Sequence, residues 1–163
     1  MATSSVSIRS ARPWWWILAG GLVAGALDIA YACVFWAVKA GVSAQRIFQS
    51  VAAGLLGKAS FEGGTATAAL GLALHFLIAT SMSLTYYLVA RRWPLLWRQA
   101  VPCGLLYGLL LYAIMNFIVV PLSAAGGGGG KDPLWVAMSV AVHALFIGLP
   151  IALFSRRAIV ARA

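Results

Sequence analysis

The chain has 163 residues, of which 63% are hydrophobic and 9% charged, and its formal net charge is +9. A soluble domain carries about 25% charged residues, so this composition excludes a water-facing surface of ordinary size and leaves one polytopic membrane domain. The 12 Lys and Arg are dispersed between apolar runs, which fits the cytoplasmic bias of membrane loops and excludes a nucleic-acid-binding patch.

The first apolar run, residues 14–38, opens after Pro13 and is long enough to cross a hydrocarbon core. A cleaved signal peptide is the rival reading, because Arg9 and Arg12 precede the run and Ala30-Tyr31-Ala32 imitates a cleavage site. The run continues to Val38 and carries Asp28 within it, which argues for a span. Residues 44–56 follow, with Ile47, Phe48, Val51 and Leu55 on one helical face and Gln45, Arg46 and Gln49 opposite. That pattern predicts a short interfacial or re-entrant helix, the polar face meeting water in the interfacial case.

The second run is 67–89 and the third 101–120, with Pro102 in its first turn. A glycine run at 126–130 predicts a flexible loop. Asp132-Pro133 then caps a fourth run at 134–154, where Pro150 predicts a kink. The expected fold is therefore all-α: a single membrane domain with a bundle of four transmembrane helices and one short interfacial helix. With the N-terminus inside, the inner segments hold eight Lys and Arg and the outer segments four. Both termini are thus expected to be cytoplasmic. Trp14 to Trp16, Trp93 and Trp97 then fall at the inner headgroup level, and Trp36 and Trp135 at the outer one.

Two halves align. Gly21, Gly25 and Ala30 fall on Gly104, Gly108 and Ala113 at an offset of 83, while His75 falls on His143 at an offset of 68. A parallel 2+2 duplication follows if both alignments hold. Gly21, Gly25, Gly71, Gly104 and Gly108 lie on small-residue stripes that allow helices to approach closely. Cys33 and Cys103 differ in depth by most of the bilayer, so no disulfide is expected between them.

Ionisable residues inside a membrane span are rare and costly, at about 2.5–3.5 kcal/mol on insertion scales, and mark functional sites by default. Asp28, His75 and His143, with Asn116 as a polar companion, all fall in the outer half of the bilayer at ~1.5 Å per residue. They are the candidate site, with Tyr31, Tyr107 and Tyr112 as supporting side chains. Such a cluster can pass protons or hold a small polar solute. Two facing imidazoles, His75 and His143, can alternatively ligate haem iron or another metal, and an Asp–His clasp can simply fix helix register in an assembly subunit. No Ser/His/Asp set in a loop, Cys/His metal spacing or phosphate-binding glycine loop is present, so neither an enzyme nor a cofactor is the leading expectation. The expected partners are the lipid bilayer and, because four helices enclose little space, further copies of the chain or a membrane complex.

The order Gly-Leu-Leu-Gly-x-x-x-Phe-x-Gly-Gly (54–64), His-Phe-x-Ile-Ala (75–79), Tyr-Gly-x-x-x-Tyr-x-x-Met-Asn (107–116) and Val-x-Pro-Leu-Ser (119–123) resembles the broadly YagU-like bacterial inner-membrane proteins with four predicted spans. The similarity covers residues 17–125. It implies a bacterial cytoplasmic-membrane location and no established activity. His143 and the glycine run lie outside it.

Overall fold

The computed structural model describes residues 13–126 and 132–161. The expectations placed on Arg9, Arg12, residues 127–131 and Arg162 lie outside the described residues.

Four apolar helices are each long enough to span a bilayer: Trp14–Ala40, Gly64–Ala90, Ala100–Leu122 and Pro133–Val160. The first is helix α1 (Pro13–Ala40), and α2 (Ala44–Leu56) follows after a three-residue link. A 3₁₀ turn at Gly57–Phe61 leads into α3 (Gly64–Ala90), the second span, and α4 (Pro94–Arg98) is a single turn before the third. The third span is α5 (Ala100–Ile114), a π-helical turn (Met115–Val119) and α6 (Val120–Leu122). The fourth is α7 (Pro133–Val142), a second π-helical turn (His143–Gly148) and α8 (Leu149–Val160). Among the described residues there is no strand, and the chain is an all-α, multi-pass membrane protein. Leu18, Leu22, Leu77, Leu106, Leu110 and Phe117 point outward, which in lipid costs nothing that burial would recover.

The spans pack in the order second, first, fourth, third. Helix α1 lies against both α3 and α8, which also touch each other, and α8 packs on α5. Glycines set these crossings. A Cβ added at Gly21 would strike the Thr80 backbone at 2.6 Å, and one at Gly25 would meet the Phe76 ring at 2.9 Å. In the second half, a Cβ at Gly104 would meet the Gly148 carbonyl at 3.0 Å, and one at Gly108 would meet the Ala144 backbone at 2.6 Å. At the offsets read from the sequence, Thr80 corresponds to Gly148 and Phe76 to Ala144. The same two contacts therefore recur in each half, the structural counterpart of a 2+2 arrangement.

The halves diverge in two respects. Helix α2 exists only in the first, and the π-turns only in the second. Each π-turn ends two residues before a proline, Pro121 or Pro150. Proline has no N–H and its ring collides with the carbonyl four residues back, so a widened turn accommodates it, with Val120 N donating to Met115 O and Leu149 N to Ala144 O. The kink expected at Pro150 takes this form.

Helix α2 corrects one expectation. Gln49 is 3% exposed and does not face water. Its Nε2 donates to the Gly64 carbonyl at 3.0 Å and to Thr67 Oγ1 at 3.3 Å, while Leu55 and Leu56 are exposed. The polar face of α2 is turned partly inward because the first turn of α3 offers acceptors there. Gly71, expected to face another span, instead meets α2, where an added Cβ would run into the Phe48 carbonyl. At its far end α2 reaches the third span, with Ala124 N donating to Gly54 O at 3.0 Å. This helix thus bridges the second and third spans.

On the face that bears α2, Lys39 Nζ lies 2.6 Å from Asp132 Oδ2 and ties the end of the first span to the start of the fourth. Asp132 Oδ1 also accepts from Leu134 N at 2.9 Å and Trp135 N at 3.0 Å, an N-cap. The Lys39 hydrogen bond and the Trp135 amide hold this carboxyl below the usual carboxylate range.

Two predictions follow from this packing. Gly71→Val and Gly108→Val each destabilise the bundle by about 1–3 kcal/mol through overpacking, read by detergent-denaturant unfolding in micelles. Gly54→Ala, whose Cβ would sit 3.8 Å from Ser123, stays within about 0.5 kcal/mol, and an equal loss at all three would remove the close-approach account. For Asp132, a folded carboxyl that ionises more readily than the unfolded one contributes stability fully above the ordinary carboxylate range and loses it as the pH falls through the depressed value. Asp132→Ala therefore lowers stability at neutral pH, and its difference from wild type shrinks on acidification. A difference that stays constant with pH would contradict the pairing.

Candidate functional site

Because α3 and α5 are held apart on the α2 side, a cavity of about 740 Å³ opens between them, with α1 and the fourth span behind it. Asp28, His75, Asn116 and His143 all line it. Arg46 and Ser50 of α2 line it as well, with Lys58 of the following turn. Buried Ala24 and Gly25 form the back wall, while Arg46, Ser50, Lys58, Asn116 and Val119 are exposed and mark the open side.

The inner end is closed. Met82 forms the floor, the Tyr107 hydroxyl donates to its carbonyl at 2.9 Å, and the Tyr107 and Tyr86 rings pack at 4.9 Å. The Tyr86 hydroxyl in turn donates to Leu96 O at 2.9 Å. Tyr107, expected beside the cluster, belongs instead to this plug on the side toward the chain termini. It points there because the Met82 carbonyl, already part of the α3 helix, offers a second lone pair across the gap between the second and third spans.

Asp28 and His75 are brought together by the Gly25 crossing. His75 Nε2 lies 2.9 Å from the Gly25 carbonyl and 4.0 Å from Asp28 Oδ2. A carbonyl only accepts, so Nε2 carries the proton and donates it to Gly25. The separation from Asp28 is too long for a direct hydrogen bond. The imidazole and the carboxyl group are electrostatic neighbours with no direct hydrogen bond between them. Side-chain exposures of 13% for His75 and 26% for Asp28 leave both reachable from the cavity.

His143 is also a charge neighbour of Asp28, but its ring is held by its own helix. Nδ1 donates to Ser139 O at 2.9 Å, which leaves Nε2 as the basic nitrogen. Tyr112 packs edge-on against this ring at 5.3 Å. Asn116 lies in the π-turn, and its Nδ2 donates to Tyr112 O at 3.0 Å. Tyr31 stacks on Trp135 at 5.2 Å, and its hydroxyl lies 3.4 Å from Ser139 Oγ. Trp36 and Trp135 line the cavity and pack on each other at 5.3 Å, with Phe35 against both. These tryptophans form an internal aromatic cluster with Phe35 and Tyr31.

Arg46, Lys58, Ser50 and Ser139 were not singled out from the sequence. The signal for α2 was present in its buried-length apolar face, but its penetration toward α3 depends on Gly71 and on the acceptors of Gln49. Among the described residues no group of three His, Cys, Asp or Glu side chains is placed to hold a metal ion. A ligand to both imidazoles would have to use His75 Nδ1 and His143 Nε2. Cys33 and Cys103 are free thiols.

The arrangement can receive a small molecule from the α2 side, offer it a carboxyl, two imidazoles and an amide, and exclude it from the termini side. Comparison with protein-family models, curated proteins and solved structures gives no match to the chain.

Proposed function

We propose that the chain is an inner-membrane protein of a bacterium, with both termini cytoplasmic, that handles protons or a small solute through the Asp28, His75, His143 and Asn116 cluster. The observation that carries this reading is that these four side chains, drawn from four different spans, line one cavity closed at the end toward the termini. His75 does tie the second span to the first through the Gly25 carbonyl, but a register clasp alone would leave Asp28 and His75 sealed off. They are instead separated by 4.0 Å and face open space. The excess of Lys and Arg in the segments on the termini side supports the orientation, and the resemblance to YagU-like proteins supports the location. Proton exchange at neutral pH suits imidazole, and a carboxyl beside it supplies a second site at the same depth.

Function is tested by proton flux in proteoliposomes. Wild type is expected to dissipate an imposed pH gradient, alone or with a solute, and Asp28→Asn to abolish this while remaining folded by circular dichroism and gel filtration. Absence of flux in wild type across a panel of small solutes would overturn the reading in favour of an assembly subunit. The purified protein is expected to lack a Soret band; a band lost in both His75→Ala and His143→Ala would replace proton handling with haem ligation. Orientation is checked by cysteine labelling at Ser5, Gly128 and Ala163, with only Gly128 expected to react from outside the cell.

A further inference from the structure

The mouth of the cavity has a charge of definite sign. Arg46 and Lys58 line it and are exposed. The ion pairs and close carboxylate contacts among the described residues are Lys39 with Asp132 and His75 with Asp28. Neither cation at the mouth therefore has a carboxylate partner there. The Arg46 guanidinium lies 4.3 Å from the centre of the Phe61 ring, which positions it and leaves its N–H edges available to a planar acceptor.

Behind this mouth, beside the polar cluster, the walls include apolar Ile47, Val51, Ile78, Met82 and Met115. The volume of about 740 Å³ holds about 25 water-sized groups. The open side includes Asn116 and Val119, which belong to the third span. The opening therefore continues from the surface down the side of that span, a route suited to a molecule with one polar end and one apolar end. Titratable groups reach the cavity from α1 (Asp28), α3 (His75), the fourth span (His143), and α2 with its following turn (Arg46 and Lys58), while the third span contributes only the neutral Asn116.

We propose that the cavity takes a monocarboxylate with an apolar body, whose carboxylate meets Arg46 and Lys58 at the mouth and receives a proton from the Asp28 and His75 cluster inside. The proposal rests on the proton-handling reading above and names its ligand class. Paired hydrogen bonds from guanidinium and ammonium recognise the anion. The proton leaves the Asp28 carboxyl or the His75 imidazolium and bonds to a ligand oxygen, giving a neutral acid and restoring the carboxylate or neutral imidazole. A proton from the buffered solution on the α2 side then reprotonates the donor, so one proton is taken up for each anion bound. Removing the ligand's charge lets its apolar body settle between the apolar walls without burying an unpaired anion.

The test is calorimetric titration of octanoate into the full-length protein in zwitterionic-lipid nanodiscs, with empty discs subtracted. Saturable binding of octanoate is expected. Acetate, which lacks the apolar body, and octylammonium, which reverses the charge, should give none. Arg46→Gln with Lys58→Gln should weaken octanoate by about tenfold or more, whereas Arg46→Lys, which keeps the charge, should still bind. Repeating the titration in buffers of different ionisation enthalpy should show proton uptake in wild type and its loss in Asp28→Asn/His75→Gln, which should bind octanoate more weakly but still measurably through Arg46 and Lys58. Equal binding of octylammonium, undiminished binding in the double Gln variant, or wild-type binding without proton uptake would each overturn the proposal. Proton flux with no saturable octanoate binding would remove this ligand class and leave the proton-handling reading standing.

Discussion

The structure depends on how closely two helices can approach where one presents glycine. At Gly25 the first span meets the second near enough for the Phe76 ring to fill the space a Cβ would occupy, and the Gly25 carbonyl is in reach of His75 Nε2 at 2.9 Å. A bulkier residue would push the imidazole away and separate it from Asp28. Packing and site chemistry therefore share one contact. The same crossing recurs at Gly108 in the second half, but there the close neighbour is the His143 and Ala144 backbone. The His143 ring consequently bonds back to Ser139 of its own helix rather than across to a neighbour.

This difference between halves produces the cavity. Two straight helix pairs joined by equivalent contacts would leave a narrow groove between the second and third spans. The π-turns at Met115–Val119 and His143–Gly148 alter the phase of the third and fourth spans at the level of Asn116 and His143. Helix α2 then covers one side of the gap, held by buried Gln49 on α3 and by the Gly54 carbonyl on Ala124. Tyr107 and Tyr86 close the opposite end. Space remains between them, open beside α2 at Arg46, Ser50 and Lys58, and Asp28 and His75 line it.

The sequence made the four spans and α2 legible because run length, capping and periodicity are local properties. Residues 44–56 were assigned to a helix, and α2 spans Ala44–Leu56. Depth was equally readable, since counting residues inward from each span end puts Asp28, His75, Asn116 and His143 at one level. What surrounds a polar face is not local. The pattern of α2 placed Gln49 opposite the apolar residues, but its partners, Gly64 and Thr67, lie in another helix. Tyr107 lies nine residues, about two and a half helical turns, before Asn116, and the carbonyl that receives its hydroxyl belongs to Met82 in another span. The π-turns were only half visible: Pro150 signalled an interruption, whereas its form, a widened turn ending two residues before the proline and not a sharp kink, is a matter of backbone hydrogen bonding that residue type alone does not show.

The central claim is that the polar cluster sits in water admitted from the α2 side alone. The most direct measurement is the reaction of single cysteines with a membrane-impermeant methanethiosulfonate in oriented, sealed vesicles, in a Cys33→Ser/Cys103→Ser background. Ala32→Cys, on the cavity wall a turn from Asp28, and Asn116→Cys, on the opposite wall, are predicted to react from the α2 side and to be silent from the termini side. Leu22→Cys, which points to lipid, should not react from either. Silence of both cavity positions, or their reaction only from the termini side, would contradict the account.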